Sequence, residues 1–139
     1  MLAGWVGLGG LALAGCLDRI SSGSETELLE ASSIETVGTE CAGADAETAS
    51  AGRAGERLSL SGVLPASNPC HEAVLVDVSL GDGTLSVRVD VESTLEEGGV
   101  CVECVGAVTY EATVDLPADA TVRRVVVDHE TGETIEISL

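Results

Sequence analysis

Residues 74–92 read VLVDVSLGDGTLSVRVDVE, and this stretch decides the fold class. Leu85, Val87, Val89 and Val91 alternate with Ser86, Arg88, Asp90 and Glu92. That is the period of a strand with one face buried and the other in water. Val74, Val76, Val78 and Leu80 alternate in the same way with Leu75, Asp77 and Ser79. Between the two runs, Gly81-Asp82-Gly83 supplies the positive-φ positions a tight turn requires. The pair reads as a β-hairpin.

The same period extends outward from the hairpin. Upstream, Leu58, Leu60, Gly62 and Leu64 share one face and Ser59 and Ser61 the other. Downstream, Val108, Tyr110, Ala112, Val114 and Leu116 alternate with Thr109, Glu111, Thr113 and Asp115, and Pro117 closes that run. Val122 to Val127 reads as another strand, and a turn over 128–132 leads into Ile135, Ile137 and Leu139. His129 falls in that turn and is expected to be solvated. This gives six strands, or seven if Glu47 to Gly52 pairs at an edge. No long apolar stripe of helical period interrupts them, so the expectation is all-β: a small antiparallel β-sandwich or barrel spanning 56–139. Residues 73–80, 84–92 and 105–116 are expected to form a meander.

Composition narrows the function. The chain has 139 residues, with 24 Asp and Glu against 6 basic residues, giving a formal net charge of −18. All the basic residues are Arg; Lys, Phe and Gln are absent. With no basic patch to neutralise phosphates, nucleic acid is excluded as a partner, and anionic membrane surfaces repel the domain. Such a charge destabilises a compact chain by self-repulsion unless salt screens it. An acidic surface without Lys, over a core of small aliphatic residues, resembles the proteins of extremely halophilic archaea. Loss of structure at low salt is the expected consequence.

Residues 1–16, MLAGWVGLGGLALAGC, are apolar and uncharged. The stretch is shorter than the ~20 residues of a membrane-spanning helix and ends in small residues, like an export signal. Leu13-Ala14-Gly15-Cys16 resembles a lipobox, which makes Cys16 the lipidated first residue of the mature protein. At about 0.8 kcal/mol per buried CH2, two long chains anchor firmly. The basic segment that normally precedes such a run is missing. A start set too far downstream accounts for this, and the twin-arginine pair of haloarchaeal lipoproteins would lie in the missing piece. Residues 17–55 are mostly Ser, Thr, Glu, Gly and Ala and read as a flexible acidic tether. Ser24-Glu25-Thr26-Glu27 fits a capping box for a helical turn over Leu28 and Leu29.

With Cys16 lipidated, Cys41, Cys70, Cys101 and Cys104 remain. Outside the cell, an even number of cysteines in a small domain reads as two disulfides. In a meander, Cys70 and the pair Cys101 and Cys104 lie at one end of the sheet, but the first and third strands are about 9.6 Å apart. That exceeds the ~7 Å limit between bridged Cα atoms. The loop over 93–104 must therefore cross the sheet end to reach Cys70, leaving Cys41 to pair with the remaining cysteine. The alternative uses the same atoms: Cys70, His71, Cys101 and Cys104 as ligands of zinc or copper, or as a redox module. Against it, one Cys-x-x-Cys is a weaker signal than two, and on a strand neighbouring Cys70 and His71 point to opposite faces. The carboxylates follow no Asp-x-Asp-x-Asp-Gly calcium loop. No nucleophile elbow, phosphate-binding loop or paired-carboxylate motif is present, so no catalytic residue is assigned and an enzyme is not expected.

Asn68-Pro69-Cys70-His71-Glu72-Ala73, together with Cys101-Val102-Glu103-Cys104-Val105-Gly106 and Tyr110-Glu111, resembles a group of uncharacterised secreted or lipid-anchored proteins of haloarchaea. The likeness covers about residues 40–139. It implies an extracytoplasmic β domain with linked cysteines and no particular activity. The functional expectation is a lipid-anchored cell-surface binding or structural module on the outer face of the membrane.

Overall fold

The computed structural model describes residues 28–42 and 44–139. The export segment, Cys16 and the capping-box residues lie outside them. Among the described residues there are eight strands: β1 (Ser32–Cys41), β2 (Thr48–Ala54), β3 (Arg57–Ala66), β4 (His71–Gly81), β5 (Thr84–Ser93), β6 (Gly106–Asp115), β7 (Arg124–His129) and β8 (Thr134–Ser138). A short 3-10 turn over Ala44–Ala46 joins β1 to β2. The strands form two four-stranded sheets, ordered β1-β6-β3-β2 and β4-β5-β7-β8. They stack as a sandwich, not a barrel, so the all-β expectation holds.

The quoted hairpin is β4 and β5, paired antiparallel from Gly81–Thr84 to His71–Ser93. Asp82 and Gly83 both have positive φ, 53° and 78°, as a two-residue turn matched to strand twist requires. Leu85, Val87 and Val89 are fully buried. They meet Leu58, Leu60 and Leu64 of β3 and Val108 and Val114 of β6 in one core.

Four expectations are corrected. The meander does not form: β6 leaves the hairpin's sheet and inserts between β1 and β3 of the other. Its inward row is apolar from Val108 to Val114, and the loop over 94–105 is long enough to carry the chain across. The sheets are not wholly antiparallel either, because β7 runs parallel to β5, a pairing that the long crossover over residues 94–123, by way of β6, permits. The tether reading fails from Leu28 onward. Residues 28–30 are helical, which agrees with the turn expected over Leu28 and Leu29, but Leu28 is buried in the core. Residues 32–54, read as tether, supply two strands of a sheet, β2 being the expected edge strand. The ordered domain therefore begins well before residue 56. Finally, His129 is not solvated. It ends β7 with 1% of its surface exposed.

β1 escapes a period-two reading because it contains a bulge between Thr36 and Gly38. Ile34 and Thr36 face inward, while the extra residue Val37 turns out to solvent. β4 carries a matching bulge between Leu75 and Asp77, and Val76 turns out. The two bulged edges lie together, and the Ala73 N–H of β4 donates to Thr36 Oγ1 of β1 at 2.8 Å.

Candidate functional site: the stapled end and its buried support

Both disulfides sit at one end of the sandwich. Cys41–Cys104 joins the end of β1 to the residues just before β6, with Cα atoms 5.7 Å apart. Cys70–Cys101 joins the start of β4 to the β5–β6 loop, with Cα atoms 6.1 Å apart. Cys70 thus takes one member of the Cys-x-x-Cys and Cys41 the other, as the sequence suggested. The physical reason differs. The loop reaches Cys70 on its way from one sheet to the other, not by doubling back across a meander.

The β3–β4 connection is shaped for these bridges. Cys70 N–H donates to Asn68 Oδ1 at 3.0 Å, and Thr94 N–H donates to Cys70 O at 2.9 Å. His71 Nδ1 donates to Asn68 O at 3.0 Å. Gly106 is required here, since a Cβ would collide with the carbonyl of Asn68 and with Pro69 N, 2.7 Å away. His71 is therefore engaged with backbone, and the four candidate sulfurs are joined in pairs. Among the described residues no cluster of three or more His, Cys, Asp or Glu side chains is arranged to hold a metal ion.

The bridged loop over 94–105 is apolar where it meets solvent. Val100 is 90% and Val102 61% exposed, and Leu95 and Val105 are exposed as well. Glu96, Glu97 and Glu103 interrupt them, and residues 94–105 contain no basic side chain. The two bridges hold this loop at Cys101 and Cys104, on its β6 side. The chain enters the domain at the other end. Ala31 O accepts from Asp115 N–H and Ser32 pairs with Val114, a full strand length from Cys41, which pairs with Gly106.

Beneath the stapled half lies a polar chain that the sequence reading missed. Glu47, just before β2, accepts from His129 Nδ1 at 2.7 Å and from the Glu133 backbone N–H at 2.8 Å. On the other side of the ring, His129 Nε2 accepts from the Tyr110 hydroxyl at 2.8 Å. The Glu47 and His129 side chains are 8% and 0% exposed, and Tyr110 is fully buried. With the Nδ1 proton aimed at the carboxylate, Nε2 is left as the acceptor that Tyr110 needs. Burial, and after it the negative charge of Glu47, hold the Tyr110 phenol well above its ordinary range. Two glycines make room: a Cβ at Gly62 would lie 2.6 Å from Tyr110 Oη, and one at Gly132 would strike the Glu47 carboxylate. Thr131 Oγ1 donates to Pro65 O at 2.5 Å, so the β7–β8 turn is tied to β3 of the opposite sheet. Among the described residues no buried side-chain nitrogen or oxygen lacks a partner, and the chain runs from the Tyr110 hydroxyl through His129 and Glu47 to the Glu133 amide. It clamps the two sheets. The one sequence signal was a pairing of types, since a lone Tyr and a His on inward strand positions need polar partners.

The outer face of the β1-β6-β3-β2 sheet is paved with small hydroxyls. Ser33 bonds Thr113 and Ser50 bonds Ser61, each at 2.9 Å. These short side chains leave an open trough of about 400 Å³ bordered by Ser50, Gly52, Ser59, Ser61, Glu111 and Thr113.

Fold and site together define a small all-β sandwich module stapled by two disulfides. Compared with protein-family models, curated proteins and solved structures, the chain has no match. Among the described residues no helix is long and apolar enough to cross a membrane, and the two bridges are compatible with a place outside the cytoplasm.

Proposed function

We infer that the chain is a cell-surface lipoprotein of a salt-rich host, anchored by a lipid on Cys16, whose domain is a binding or structural module displayed outside the membrane. The observation that carries this reading is polarity of layout. The chain reaches the sandwich at the Ala31–Asp115 end, and the two bridges lie at the opposite end. A tether from Cys16 therefore leaves the stapled loop farthest from the membrane. Its exposed Val100, Val102 and Val105, ringed by Glu96, Glu97 and Glu103, suit an apolar partner surface bordered by basic groups. The acidic surface supports the salt-rich setting. The likeness of the two cysteine motifs to haloarchaeal secreted proteins points the same way.

Intact mass of the protein purified from a halophilic host tests this, with alkylation before and after reduction and with and without chelator. The expected species starts at Cys16, carries the mass of long lipid chains, and takes up alkylating reagent only after reduction. A chain with unmodified Cys16 overturns the anchor. Alkylation released by chelator alone overturns the disulfide module in favour of a metal site at Cys70, His71, Cys101 and Cys104.

A further inference from the structure

The sandwich has four edge strands, and they are not alike. β1 and β4 are bulged, carry Glu35, Glu40, Glu72 and Asp77, and are linked through Thr36 and Ala73. β8 is five residues long and carries Glu136, which pairs with Arg124 at 2.8 Å. Short, bulged and charged edges resist pairing with other strands. β2, Thr-Ala-Ser-Ala-Gly-Arg-Ala, is neither short nor bulged, and its one charged side chain, Arg53, is engaged with the carbonyls of Gly55 and Ala120. It is a regular seven-residue strand in unbroken register with β3, without proline, bulge or acidic residue. Among the described residues no loop or side chain bonds to its outer row of backbone groups.

We propose that β2 pairs antiparallel with β2 of a second copy of this chain, joining the two β1-β6-β3-β2 sheets into one. Charge selects that occupant. A chain of net charge −18 repels its own copy most where carboxylates face each other. Residues 48–55 hold no acid and one Arg, and Ser59 and Ser61 behind them are uncharged. About a two-fold axis at Ala51, Thr48 opposes Ala54 and Ser50 opposes Gly52, all small enough to let the backbones meet. The large acidic remainder stays outside the contact. Seven residues a side is well below the roughly 20–30 of a stable interface, so the pair is concentration-dependent and strengthens as salt screens the remaining charge. This inference does not depend on the lipid or on the stapled loop.

The test is light scattering on the full chain in nonionic detergent across concentration at high salt, with hydrogen exchange followed over 48–54. The expected result is a shift from one chain to two as concentration rises, with slowed exchange, in step, of the outward β2 amides, those not bonded to β3. Ser50→Glu with Gly52→Glu sets four carboxylates about the axis and is expected to return the chain to one copy with both disulfides intact. The exchange measurement needs no variant, so it decides even if this double substitution fails to fold. A single chain at every concentration overturns the proposal. So does a pair whose outward β2 amides, those not bonded to β3, exchange freely, or a single chain whose outward β2 amides are already protected, since its own residues would then cover the edge.

Discussion

The hydroxyl of Tyr110 donates to Nε2 of His129 at 2.8 Å, and the two rings meet edge to face with centroids 5.7 Å apart. Tyr110 stands on β6 and His129 on β7, so this contact joins the two sheets through the core. Removing the hydroxyl leaves Nε2 buried and unpaired. Tyr110→Phe is expected to cost about 1–3 kcal/mol, read as a lower denaturant midpoint with an unchanged slope.

The same residue sets an alkaline limit. In the unfolded chain Tyr110 loses its proton near pH ~10, whereas burial and the Glu47 charge hold it protonated in the folded chain. Its contribution is fully present below that pH and is lost as pH rises above it, because the unfolded state then binds fewer protons. Tyr110 is the only tyrosine, so tyrosinate absorbance reports on it alone. The native protein should begin to absorb at distinctly higher pH than the denatured protein. Coincident titration curves would show the phenol to be open to water.

Gly62 is fixed by the same ring. A methyl group there meets Tyr110 Oη and the Thr48 carbonyl, both at 2.6 Å. Gly62→Ala should destabilise by about 1–3 kcal/mol through overpacking. In the Tyr110→Phe background the loss should be smaller, because the hydroxyl that blocks the methyl is gone. A double-mutant cycle measures that coupling, and strict additivity would place the strain elsewhere.

The bridges span sequence separations of 63 and 31 residues. In the chain-entropy account each constrains the unfolded state by about 4 kcal/mol, the longer by about 0.6 kcal/mol more. Replacing either pair by serine should lower stability by roughly 2–4 kcal/mol. Losing Cys41–Cys104 should also speed hydrogen exchange in β1, which buries little beyond Ile34 and Thr36. Losing Cys70–Cys101 should act first on residues 94–105.

Salt acts through the surface. The ion pairs of Arg57, Arg88 and Arg124 are solvent-exposed and contribute little each, so most carboxylates stand uncompensated. Circular dichroism should show the domain losing structure as salt is lowered from about 1 M, where the Debye length is about 3 Å, towards 0.01 M, where it is about 30 Å. A full spectrum in dilute buffer would mean that the core and bridges outweigh the repulsion.

The sequence by itself determined the elements that bury one face. The runs 58–64, 74–80, 85–91 and 108–116 are strands because side chains alternate across a pleat and water sorts them. Asp82-Gly83 turns because its backbone needs positive φ. That four cysteines form two bridges was also legible; which cysteine pairs with which follows from β6 crossing to the other sheet, not from the expected meander. Tertiary structure alone decided the rest. β1 has too few apolar residues to announce itself and a bulge that breaks its period, and it is a strand because β6 and Cys104 hold it. β6 lies between β1 and β3 of the other sheet, paired on both sides and with its inward row buried, a placement that no local pattern announces. His129 is buried, not solvated, because Glu47 and Tyr110, from 82 residues and 19 residues away, converge on its two nitrogens. No local pattern encodes a convergence of groups so far apart in the chain.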